Sequence, residues 1–298
     1  MLFEVSATPK PGLVDRDNGG AHYDMDFFTF MSSAASLRTA FDEFANIGLA
    51  LRDASPDQLL AALQEYGRSA ESDMFAGTGG INTHKGMVFS LGLICGAAGW
   101  NRGKRTSSIN AMGDTVSRMC AGLCDSAFRG LEHKEALTKG ERMFLAHGFT
   151  GARGEAESGF STIRDVSYPV LCELRERGLG INEVLAHTLL HLIAETIDTN
   201  IVSRHDLKTA EYARKQARRA LAQGGMLTRR GLRAVREMDA DFIERHISPG
   251  GCADLLAATH LLRELELALA EALPDASPDT RRTAASASKS AKDGRIRA

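Results

Sequence analysis

Apolar residues recur every three or four positions through most of the chain, and no sustained run alternates them with β-branched residues at every second position. The first spacing builds one face of an α-helix and the second one face of a strand. The pattern predicts helices over residues 26–51, 56–75, 115–130, 181–197, 207–222, 228–245 and 253–272. Ser55 ahead of Pro56 suits a helix start, a capping hydroxyl followed by a residue already set at the helical φ. No internal repeat or evident linker interrupts residues 1–272, so the expected fold is all-α, a single multi-helix domain.

The connections are the unusual part of this pattern. Five of them, 9–26, 77–86, 150–159, 198–206 and 248–254, concentrate glycine with polar and charged residues. Neighbouring helices need only a few linking residues, so long polar glycine-rich loops mark functional surface. A nucleotide cleft and a set of polar turns ahead of buried helices are both compatible with them.

Composition narrows the class. A chain of 298 residues with 43% apolar and 25% charged residues reads as an ordinary globular protein. The longest apolar run, 87–100, falls short of the ~20 residues of a membrane span, and the opening LFEV has no basic flank ahead of an apolar core. The expected location is the cytoplasm, with no membrane partner. Five cysteines without an export signal imply reduced thiols; Cys120 and Cys124, four apart on an expected helix, share a face and read as small apolar residues. Residues 281–298 hold six Lys/Arg and one acid, in a Pro-, Ala- and Ser-rich segment from 273 onward that is expected to be disordered. Without those eighteen residues, 30 bases face 37 acids, a net charge of −7. Such a body makes no nucleic-acid partner, and it would hold a polyphosphate through a few focused bases and a divalent cation.

Each loop has a chemical reading and a structural one. In TPKPGLVDRDNGGAHYDMD, Asp24 and Asp26 at the mouth of a helix fit Mg²⁺, and each alone also fits a helix cap. GTGGINTHKGMVF, residues 77–89, is not a Walker A sequence. Its glycines still let backbone N–H groups approach an anion at a helix start, with Asn82, Thr83, His84 and Lys85 as donors. A capped helix from near Thr83, with Ser90, Gly92, Gly96 and Gly99 allowing close packing, explains the same residues structurally. In TGARGEAESGF, Arg153 offers a planar fork for phosphate; Glu155 and Glu157 read as metal ligands or as a surface pair. In IDTNIVSRHD, Asp198 near the end of an apolar helix needs a partner, and Asp198, Asn200 and Arg204 make an acid–amide–base set. His187, His191 and Glu195 lie on one face of that helix without an HExxH arrangement and read as ordinary helix surface. ISPGGCADLL places Ser248, Gly250 and Gly251 at a second helix start, either an anion nest or a tight turn with Asp254 facing the helix dipole.

Taken together, PKPGLVDRDNGGAHYDMD, GGINTHKGMVFSLGLICGAAG, GFTGARGEAESGF, IDTNIVSR and ISPGGCADLLAATHLL resemble, in order and over about residues 8–262, the triphosphoribosyl-dephospho-CoA synthases serving citrate lyase or malonate decarboxylase. The resemblance implies that ATP and 3′-dephospho-CoA give 2′-(5″-triphosphoribosyl)-3′-dephospho-CoA and adenine. The substrates are then small nucleotides, and the product passes to a separate carrier-protein transferase. The triphosphate would be held by Lys10, Asn82, Thr83, His84, Lys85, Arg153, Asn200, Arg204, Ser248, Gly250 and Gly251, with Mg²⁺ on Asp24 and Asp26. The implied α-linked product from a β-nucleoside fits a single displacement through an oxocarbenium-like transition state, with Asp198, or else Glu155, as base.

Two features depart from the family pattern. Only MLFEVSA precedes Thr8, where the family usually has a helix, and His205-Asp206 follow Arg204 where glycines are common. A Mg²⁺-dependent N-glycosidase acting on nucleotides or ADP-ribosyl groups is the alternative enzyme. A non-catalytic helical adaptor would leave His84-Lys85, Arg153-Gly154-Glu155 and Asp198-Thr199-Asn200 without a purpose.

Overall fold

The structure is a computed structural model that describes residues 1–103 and 108–272; the tail expected to be disordered lies outside the described residues. Among them are fifteen α-helices and no strand. The first group is α1 (Leu2–Ser6), α2 (Phe27–Ser36), α3 (Ala40–Ala50), α4 (Pro56–Gly77), α5 (Lys85–Gly103), α6 (Ile109–Met119) and α7 (Leu123–Phe128). The second is α8 (Lys139–His147), α9 (Gly151–Glu157), α10 (Tyr168–Glu176), α11 (Ile181–Glu195), α12 (Thr199–Arg204), α13 (Leu207–Ala222), α14 (Arg229–Glu244) and α15 (Gly250–Ala272).

Two apolar clusters follow. α5 is the axis of one, which joins its own Ile94 to Phe44, Leu63, Met74 and Val116. α11 is the axis of the other, with Leu189, Ile193, Ala213, Val235 and Phe242. α15 joins them, since Cys252 and Leu256 belong to the second cluster and Ala258, Leu262 and Leu269 to the first. Each fully buried Leu, Ile, Met or Phe adds ~1.5–3 kcal/mol of stability. Among the described residues no helix is long and apolar enough to cross a membrane.

α3 and α5 approach until their backbones touch. A Cβ on Gly48 would collide with the carbonyl oxygen of Gly96, and one on Gly99 with that of Ala45. The packing role expected for Gly96 and Gly99 is therefore what the structure shows, and α5 starts at Lys85 rather than at Thr83.

Most predicted helices appear within a few residues of their expected ends, and α13 matches over its full 207–222 span. The long 26–51 element divides, because Leu37 between α2 and α3 turns wholly into the core. Residues 115–130 also divide: Cys120 closes α6, and Gly122 opens α7 at φ 75°. Cys120 thus ends one helix and Cys124 stands in the next, and burial pushes both thiols up to about 12. Stretches 150–159 and 198–206, expected as loops, contain α9 and α12, and α8 and α10 were not predicted.

Candidate active site

The first loop is held open by buried acids. Asp15 accepts hydrogen bonds from the Thr8 hydroxyl (2.7 Å) and from the N–H groups of Lys10 (3.0 Å), Asp17 (2.7 Å) and Asn18 (3.1 Å). Asp239 of α14 accepts from Gly12 N–H (2.9 Å) and Asn18 Nδ2 (3.1 Å), and its burial raises its carboxyl above the usual range. Lys10 is buried too, its ammonium donating to Glu4 of α1. α1 is the structure that the seven residues before Thr8 adopt.

The starts of α5, α12 and α15 meet this loop. Asp198, 5% exposed, caps α12 by accepting from Asn200 N–H (2.8 Å) and Ile201 N–H (3.3 Å), while its other oxygen accepts from Cys252 N–H (2.8 Å) in α15. Gly250 and Gly251 allow this approach: a Cβ on Gly251 would lie 3.1 Å from Asp198 Oδ2, and one on Gly250 3.1 Å from Asn200 Nδ2. His22 Nε2 lies 2.9 Å from the Ser248 hydroxyl, and burial together with nearby Arg204 lowers its pKa.

Between these elements runs a cleft with two lobes. One, of about 220 Å³, is lined by Lys10, His22, Asn82, Thr83, Arg204 and Ser248 among others. The second, of about 360 Å³, has an aromatic wall of Phe89, Phe128 and Phe149, with Lys139 and Arg153 alongside. Arg153 lies over the Phe128 ring at 6.0 Å. Lys85, Gly86 and Asn200 line both lobes and mark their junction.

The expected donors Lys10, Asn82, Thr83, Lys85, Asn200, Arg204, Ser248 and Gly250 all line the first lobe, and Arg153 lines the second. The His205-Asp206 departure leaves Arg204 on the wall: His205 keeps a negative φ, its Nε2 sits 2.9 Å from the His246 carbonyl oxygen, and Asp206 caps α13. Other expectations need correction. His84 is wholly buried, with Nδ1 2.7 Å from the Ser33 hydroxyl, and burial lowers its pKa to about 3, so it is a neutral core residue. Gly251 serves the packing against Asp198 and is absent from both walls. Asp198 is absent from them as well, with both oxygens engaged by backbone N–H groups. Glu155 accepts from the Thr162 hydroxyl and faces neither lobe, and burial raises its pKa. Glu157 accepts from Gly122 N–H (2.6 Å) and Cys124 N–H (3.3 Å) in the turn into α7.

Asp26 forms a capping box with Thr29 on exposed surface, and Asp24, also exposed, lies 3.7 Å from His22 Nδ1. Among the described residues no three His, Cys, Asp or Glu side chains group as a metal cage. The reading from sequence missed Glu4, Glu71, Lys139 and the three phenylalanines of the second lobe. Phe149 sits directly before the Thr150 stretch and Phe89 ends the 77–89 stretch, so both were visible there; the others come from segments outside the five loops.

Comparison with known proteins decides the chemistry. The family described as CitG, ATP:dephospho-CoA triphosphoribosyl transferase, matches residues 1–272. The chain belongs to this family. It is 43% identical over 264 residues to the Klebsiella pneumoniae 2-(5''-triphosphoribosyl)-3'-dephosphocoenzyme-A synthase, covering 88% of this chain and 87% of the relative. The proteins of the same name from Escherichia fergusonii and Pectobacterium atrosepticum are each 41% identical, over 263 and 264 residues, covering 88% of this chain and 87% and 85% of the relative. No solved structure matches. The transferase moves the triphosphoribosyl group of ATP to dephospho-CoA, a glycosyl transfer that frees adenine.

Proposed function

We propose that the two lobes divide the substrates and that the reacting atoms meet at Lys85, Gly86 and Asn200. The observation that supports this most strongly is that these three residues line both lobes. The lobe of Lys10, His22, Arg204 and Ser248 takes the triphosphate and ribose of ATP, because its donors cluster where an anionic chain needs them. The aromatic lobe takes dephospho-CoA, its rings stacking on flat or apolar parts and Lys139 and Arg153 facing the diphosphate.

Magnesium enters with ATP as part of the substrate. Asp24 has an exposed carboxylate that, among the described residues, only the half-buried His22 approaches, whereas Asp26 has an oxygen committed to Thr29. Magnesium prefers phosphate oxygens and water with one or two carboxylates, which suits an edge position of this kind. The product is a precursor that a separate carrier-protein transferase consumes, and free thiols with an ATP substrate fit a cytoplasmic reaction.

Protein with ATP and Mg²⁺, incubated with and without dephospho-CoA, is expected to release adenine only in the complete mixture, with a heavier CoA derivative appearing alongside. Equal release without the acceptor would favour the N-glycosidase. The lobe assignment has its own check: Arg204→Ala should raise KM for ATP, and Arg153→Ala KM for dephospho-CoA. The reverse pattern would exchange the lobes.

A further inference from the structure

Among the described residues three acids line the two lobes, and two of them are already paired. Glu4 accepts from the Lys10 ammonium, and Glu71 is 2.9 Å from Lys85 Nζ. The third is Asp254, in the second turn of α15. Its carboxylate has no hydrogen-bond or ion-pair partner among the described residues, and it is partly open to the first lobe. It also marks the junction, because its Oδ2 occupies the place where a Cβ of Gly86 would stand. A larger residue at 86 would displace it.

We propose that Asp254 is the catalytic base of the transfer, taking the proton of the acceptor hydroxyl at the junction of the lobes. This rests on the two-lobe reading above. The 2′-oxygen of dephospho-CoA bonds to the ribose C1′ of ATP while the C1′–N9 bond breaks, and that bonding pair leaves on adenine. The hydroxyl proton passes to Asp254 and then, directly or through water, to adenine, which restores the carboxylate. Burial, reinforced by Glu4 and Asp198 and opposed by the Met1 amino group, pushes the carboxyl well above its usual range, toward the working pH of a base. Lys10, His22, Lys85 and Arg204 also face this lobe, and Glu4, Lys10 and Asp198 are held by their own partners. The other two acids once considered, Asp198 and Glu155, lie off the cleft wall.

Asp254→Asn tests the assignment. A base of this kind contributes ~10²–10⁴ in rate, so kcat should fall at least a hundredfold while ATP still raises Tm as in the wild type. Wild-type kcat should rise with pH along an acidic limb above the ordinary carboxylate range; Asp254→Asn should lose that limb, and Asp254→Glu should retain it at reduced rate. Asn is isosteric and removes a buried charge, so Tm without ligand should stay level or rise. Turnover within threefold of wild type, an unchanged acidic limb, loss of the ATP-induced shift or a fall in Tm would each overturn the assignment. Failure of the two-lobe reading looks different. Arg204→Ala and Arg153→Ala would then leave both KM values unchanged, whatever stands at 254, and the Asp254 assignment would fall with it.

Discussion

The rim of the cleft carries its cations on side chains that reach water, whereas the floor buries its charges and pairs them. Lys85, Arg153, Arg204 and Lys139 form the rim. Glu4 and Lys10 on the wall, with Asp15, Asp198 and Asp239 behind it, form the floor, each with a partner from another segment or an adjacent turn. Exposed charges move, are screened by salt and contribute to binding. Buried, bonded charges fix backbone geometry, and losing one partner exposes the full desolvation penalty of the other. The contrast teaches that acidity or basicity alone does not identify a functional residue here.

The largest effect should come from the floor. Lys10→Ala strands Glu4 in the interior and should lower unfolding stability by about 3–5 kcal/mol in denaturant titration. A change below about 1 kcal/mol would mean that the pair is effectively solvated. Asp198→Ala removes the acceptor of three backbone N–H groups and should cost about 2–3 kcal/mol. A variant that keeps full stability but loses turnover would return Asp198 to the mechanism.

The rim should behave oppositely. Arg204→Ala should leave Tm nearly unchanged and raise KM for ATP about 10–100-fold, an effect that shrinks as salt is added. A marked drop in Tm would show that Arg204 holds the fold. The smallest expected effect is a slope. His84 titrates near 3 in the folded protein against 6.5 for an ordinary histidine, so the unfolded chain binds more protons below about pH 6.5. Stability therefore falls as pH drops from about 6.5 toward 3, and His84→Gln should flatten Tm against pH in that window. His187, lowered by burial to about 4, supplies a background of the same sign that the substitution leaves in place. An unaltered slope would mean that His84 has water at its ring.

How much of this was legible in the sequence varies with the range of the interaction. α13 was read to its ends because its apolar repeat is unbroken and Asp206 caps it. α12 was missed, since six residues are too few for a period and its stability comes from Asp198 and the neighbouring α15. The motifs named Lys10, Lys85, Asn200 and Arg204, which the fold does bring to one wall. They could not separate Asp198 from Asp254. Both are acids near helix starts, and only the contacts with Cys252 N–H on one side and Gly86 on the other tell them apart.

The backbone contact between α3 and α5 reaches as far as the chemistry. Gly48, Gly96 and Gly99 leave no room for a methyl, so α5 cannot slide or be re-spaced without unpacking the first cluster. Lys85 and Gly86 begin that helix, and the junction of the lobes inherits its coordinates from glycines deep in the core. For redesign, the transferase therefore has one fixed jaw and one adjustable jaw. On the proposed lobe assignment, a new acceptor would be accommodated by recarving the α8–α9 side, around Lys139, Phe149 and Arg153, while α5 stays as the datum from which every such change is measured.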